Sequence, residues 1–99
     1  MAILKISGDE DRTTSGRRRR PLSAALKATR DVIADLSELR YADPSLMIDL
    51  AILAQRLRLQ GRTLWLSGAR PNIRTLIETV GLHRQPAVRL DGTQPAFST

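Results

Sequence analysis

Ninety-nine residues suffice for one small domain with a single modest core. Hydrophobic residues make up 41% of the chain but only three residues are aromatic, so the core must be aliphatic; no cysteine and one histidine exclude disulfides, thiolate sites and a His-cluster metal site, and no cofactor is implied. A formal charge of +6 raises nucleic-acid binding, yet fourteen of the sixteen basic residues are arginine and only Arg17 to Arg20 form a block, so charge alone speaks of solubility and steering.

Met1 to Lys5 turns polar too soon for a signal peptide, and no stretch approaches the roughly 20 apolar residues of a membrane span, so a cytoplasmic protein away from membranes is expected. Ala2 to Ile6 is a short β-prone run closed by Ser7-Gly8. Asp9-Glu10-Asp11 reads as a polar turn, because it lacks the spacing and distal Glu of a calcium loop. Thr13, Thr14 and Ser15 offer helix N-caps, and Leu22, Ala25, Leu26 and Thr29 share a helical face. Pro21 is costly inside a helix, so a regular helix is expected from about Pro21 to Ala28, with a looser basic turn before it.

Asp31 to Leu36 sends apolar side chains to both faces, as a central strand does, and Leu39 to Ala42 is a minor extended piece. From Pro44 the period becomes helical through Leu46, Leu50, Leu53 and Leu57. Ile48 and Ile52 make the first half of that helix apolar almost all round. Arg56, Arg58 and Gly61 mark its end near Gln60. Thr63 to Ser67 is the third long strand, Pro71 opens a helix with the stripe Ile73, Leu76, Ile77 and Val80, and Gly81 closes it. Ala87 to Leu90 is a last short strand, and 91–99 reads as a flexible tail after a single domain spanning 1–90. The β-α-β-α-β-α order requires crossover connections, hence an α/β sheet layered with helices.

No Gly-rich phosphate loop and no nucleophile-base-acid set is visible, which points away from an enzyme. The chemistry-bearing stretch is Asp43-Pro44-Ser45. It is readable as an ordinary helix start, with Asp43 as N-cap and Pro44 at N1. It is equally a place where phosphate on Ser45 would bring about −1.5 to −2 charges to the positive end of a helix.

These residues resemble the STAS domain, and more narrowly the anti-sigma factor antagonists, over roughly Ile3 to Arg84. Gly8-Asp9-Glu10-Asp11 is similar to that family's G-E-L-D turn, Asp31 to Ser37 to its D-V-x-x-D-L-S strand, and Tyr41-Ala42-Asp43-Pro44-Ser45 to its F-x-D-S-S segment. Gly61 to Gly68 and Thr79-Val80-Gly81-Leu82 are similar to its G-x-x-L-x-L-x-G strand and T-G-L helix ending. The resemblance implies a STAS-like mixed β-sheet layered with helices and lacking the usual first strand. It further implies a non-enzymatic module that binds an anti-sigma factor of the GHKL kinase type, is phosphorylated by it on Ser45 and is reset by a phosphatase. Asp11 and Asp43 would be the acidic neighbours of Ser45, and Leu46, Met47 and Asp49 part of the docking face.

Pro44 departs from the family's Ser or Thr, and Leu46 from its Gly. Those departures keep open a STAS scaffold or ligand sensor without phospho-switching. A sheet edge near Ile3 would offer a template for a homodimer. A basic nucleic-acid binder acting through Arg17 to Arg20 is the lesser alternative, since no aromatic residues interleave with the arginines.

Overall fold

The computed structural model describes residues 2–10, 15–27 and 30–90. Its elements in chain order are β1 (Ala2–Lys5), β2 (Gly8–Glu10), α1 (Ser15–Lys27), β3 (Val32–Asp35), β4 (Leu39–Ala42), α2 (Pro44–Leu59), β5 (Leu64–Ser67), α3 (Pro71–Val80) and β6 (Val88–Leu90), with a 3-10 turn at Leu82–Arg84. Asp11, the hydroxyls of Thr13 and Thr14, Thr29 and the stretch 91–99 lie outside the described residues. Among the described residues no helix is long and apolar enough to cross a membrane.

The main sheet has the order β1-β3-β5-β6, and every pair is parallel. Each crossover steps to the next position in one direction, so right-handed connections stack their helices on one face. In register, Ala2, Val32, Leu64 and Val88 form one row, and Leu4, Ala34, Leu66 and Leu90 the next. Leu4, Val32, Ala34, Leu64, Leu66 and Val88 from these rows are buried with Leu50, Leu53, Leu57, Ile73 and Ile77 of the helices, an aliphatic core as the composition demands. The opposite face carries Ile3, Ile33, Trp65 and Arg89 in register, and Ile3, on an edge strand, is 71% exposed.

Two local expectations give way to long-range contacts. Gly8–Glu10 is a strand, not a turn: it pairs in parallel with β4 in a separate two-stranded sheet, with a register irregularity between Gly8 and Asp9. No alternation announces it, because a two-stranded ribbon at the surface owes its formation to its partner. The first helix begins at Ser15, so that Arg17 to Arg20 belong to it and Pro21 sits in its second turn. Pro21 removes the amide that the Arg17 carbonyl would accept from. The helix continues because Leu22, Ala25 and Leu26 pack against the core on one side.

Its far end is held by Arg62, a buried charged residue. The guanidinium donates to the carbonyls of Ala25 (2.9 Å), Leu26 (3.2 Å) and Arg30 (2.6 Å), and also to Gln60 Oε1. Helix termini leave carbonyls such as those of Ala25 and Leu26 without partners, and one side chain from beyond α2 supplies both, together with the Arg30 carbonyl that follows the helix. The backbone N–H of Arg62 also donates to the Leu57 carbonyl while Gly61 donates to Arg58, a Schellman ending to α2. Arg62 therefore ties the ends of α1 and α2 together.

Candidate phosphoacceptor site and docking face

The small β2–β4 sheet leads the chain to the start of α2. Asp43 N–H donates to the Glu10 carbonyl at 3.0 Å, fixing the corner between β4 and the helix. Asp43 is the N-cap, with extended backbone (φ −98, ψ 175), and Pro44 takes the first helical position. The Asp43 carboxylate accepts from Ser45 N–H at 2.9 Å and from Ser45 Oγ at 2.5 Å, both at Oδ1. A hydroxyl, a carboxylate and the positive end of a 16-residue helix are thereby brought to one point.

Eight residues earlier the chain makes the same arrangement: Asp35 Oδ1 accepts from Ser37 N–H at 3.0 Å and from Ser37 Oγ at 2.7 Å. Asp35 is held below the usual carboxylate range, first by the Ser37 backbone N–H, then by its hydroxyl, with the Lys5 charge adding and burial opposing. Here, however, the turn leads into β4 and not into a helix. Of these two serines, Ser45 alone joins the hydroxyl-carboxylate pair to a helix N-terminus.

The expected docking residues divide. Leu46 is fully buried and Met47 is 2% exposed, so both belong to the core. Met47 also forms part of the floor of a groove of about 140 Å³, walled by Pro44, Ile48, Ala51 and Val80 between α2 and the end of α3. Asp49 is half-buried on the other side of α2, in a groove shared with α1. The solvent face of α2 is carried instead by Ile48, 59% exposed, and Ile52, 45% exposed. The apolar excess in the first half of α2 was the legible sign of such a face; periodicity alone could not say which side it was. Trp65 is half-buried on the second face of the sheet, and His83 lies in the 3-10 turn after α3.

The order of elements and the parallel sheet agree with the comparison against known families, in which the family model described as Mlab, STAS domain matches residues 1–91. The chain belongs to the STAS family. No curated protein matches it. The STAS domain is the fold of anti-sigma factor antagonists, and such domains are generally binding modules that interact with partner proteins. This STAS domain is accordingly an antagonist-like interaction module, with the start of α2 as its chemically distinct corner.

Proposed function

We propose that this STAS domain binds an anti-sigma factor of the GHKL kinase type at the start of α2 and is released by phosphorylation of Ser45. The observation that carries the reading is the 2.5 Å hydrogen bond from Ser45 Oγ to the Asp43 carboxylate at the helix N-terminus. Ser45 Oγ would attack the γ-phosphorus of ATP held by the partner. The Oγ–P bond forms as the bond from that phosphorus to the β–γ bridging oxygen breaks, ADP leaves, and the hydroxyl proton passes to Asp43. Once Asp43 has released that proton to water, the product places a dianionic group against the carboxylate that caps α2. That cap must yield, and phosphate oxygens take over the helix N–H groups.

Docking would use the apolar groove beside Pro44 and the exposed Ile48, so charge added at Ser45 lands at the edge of the contact. Burial of Leu46 supports access: the residue that stands in place of the family's glycine turns its side chain inward, not toward an approaching kinase. Pro44 is exposed at the same corner and favours a constitutive scaffold as the second reading. A phosphatase acting on phosphoserine would complete the cycle.

A pull-down with wild type, Ser45→Ala and Ser45→Glu, with mass spectrometry of the captured protein and of Ser45, separates the readings. Capture of a GHKL-type anti-sigma factor by wild type and Ser45→Ala but not by Ser45→Glu supports the switch. Equal capture by all three, with Ser45 never phosphorylated, leaves the constitutive scaffold.

A further inference from the structure

In the main sheet β1 is outermost, with β3 on its inner side. Ala2 N–H donates to the Asp31 carbonyl and Ile6 N–H to the Asp35 carbonyl. Backbone groups alternate sides along a strand, so Ile3 and Lys5 turn their N–H and C=O groups to the outer edge, where no strand pairs with them among the described residues. The complement of such an edge is another extended strand. Protection against one is thin: β1 holds no proline and no bulge, and its single charge, Lys5, is paired with Glu38 at 3.1 Å. Ile3, 71% exposed, ends the in-register row Trp65, Ile33, Ile3 on the second face of the sheet. The opposite edge differs, because exposed Arg89 stands in the middle of β6 and a two-fold pairing there would set two arginines against each other.

We infer that β1 is a self-association edge, at which two copies of this chain pair their β1 strands antiparallel about a two-fold axis through Ile3 and so join their sheets into one. Hydrophobic pattern and charge select the occupant and the register together. About this axis Ile3 stands opposite Ile3 of the second copy, the two exchanging N–H···O=C bonds, and Ala2 stands opposite Leu4, small against large. The apolar rows meet end to end, Trp65, Ile33 and Ile3 continuing into Ile3, Ile33 and Trp65 of the second copy. The two Lys5 residues lie two positions to either side of the axis, about 13 Å apart along the strands. An axis at Lys5 would oppose like charges, and one at Leu4 would set each Ile3 against a lysine. Two four-residue strands bury well under the ~800 Å² per partner of a standard interface, and each copy carries +6, so the dimer is weak and dissociates on dilution. No residue of the Asp43-Ser45 corner takes part, so the pairing stands or falls apart from the switch.

Sedimentation equilibrium on the full chain from about 10 μM to about 1 mM, beside amide exchange followed by NMR over the same range, tests the inference. A monomer–dimer equilibrium is expected, with the Ile3 and Lys5 amides exchanging more slowly as the dimer fills. Ile3→Lys changes a side chain that is exposed in the single copy and should weaken association about tenfold or more, while Ile48→Lys on the solvent face of α2 should leave it within about twofold. Circular dichroism checks that each variant folds; should Ile3→Lys not fold, Ile3→Thr, which keeps a β-branched side chain, replaces it and should weaken association in the same direction. A monomer at every concentration overturns the inference, as does a dimer whose Ile3 and Lys5 amides exchange freely or one that Ile48→Lys disrupts instead. Ile3 and Lys5 amides already protected at the lowest concentration would assign the edge to another segment of the same chain, and overturn it too.

Discussion

Ser45 Oγ donates to Asp43 Oδ1 at 2.5 Å while the Ser45 backbone N–H donates to the same oxygen at 2.9 Å. One carboxylate oxygen thus caps a helix and grips the hydroxyl that a kinase would have to reach. Under the proposed switch, stability and modification at this corner would be coupled through Asp43.

Replacing Asp43 separates the two roles. Asp43→Ala should cost about 1 kcal/mol through loss of the cap, read by urea unfolding. Asp43→Asn should unfold close to wild type, because Asn caps comparably, but accept phosphate from the kinase much more slowly because an amide takes no proton. Equal phosphorylation of Asp43→Asn and wild type would remove Asp43 from the proton path.

Leu46 and Ile48 sit two positions apart on α2 and should behave oppositely. Leu46→Ala empties part of a fully buried site and should cost about 2–5 kcal/mol. Ile48→Ala, on the solvent face, should stay within about 0.5 kcal/mol in the same unfolding measurement.

Acid should weaken the fold through Asp35. Its folded pKa is depressed, so its stabilisation is present above the unfolded value near 3.9 and is lost as pH falls through the folded value. The melting temperature should fall with pH through that window, and Asp35→Asn should remove this part of the fall. Ser37→Ala, which deletes only the hydroxyl contact, should remove a smaller part because the backbone N–H remains.

Arg62→Ala leaves the carbonyls of Ala25, Leu26 and Arg30 without their donor and should cost about 2–4 kcal/mol by urea unfolding. Amide exchange should accelerate in the second half of α1. Arg62→Lys keeps the charge without the planar fork and should recover only part of the loss.

Gly68 and Gly81 both have positive φ, at +73 and +78, which costs an L side chain about 1–2 kcal/mol. A Cβ on Gly68 would also stand 3.0 Å from Ser37 Cβ, whereas one on Gly81 meets nothing within 4 Å. Gly68→Ala should therefore lower stability more than Gly81→Ala, by a further ~1 kcal/mol or more for the crowding. Equal losses would mean that the β3–β4 turn yields to the new methyl group.

Much of the candidate corner is legible in the sequence. Asp43 as cap, Pro44 at the first helical position and Ser45 in the first turn are matters of local chemistry, and α2 bears them out. The faces of α2 were only partly legible: the stripe Leu46, Leu50, Leu53 and Leu57 is the buried one, but Met47, Ile48 and Ile52 are equally apolar, and periodicity does not say which of those three faces solvent. The α1–α2 groove was hidden for another reason: its walls come from segments some thirty residues apart, joined only when both helices settle on the sheet.

By itself the sequence determined the kind and order of the long elements. Periodicity, caps and turn residues act within a few positions, so α2, α3, β3 and β5 fall close to where their patterns put them. Only the tertiary structure decided the rest. Gly8–Glu10 became a strand because β4 lies beside it, α1 runs through Pro21 because one of its faces packs on the core, and Arg62 was buried because the end of α1 needed donors. Each of these outcomes rests on partners distant in the chain, whose contribution no local pattern encodes.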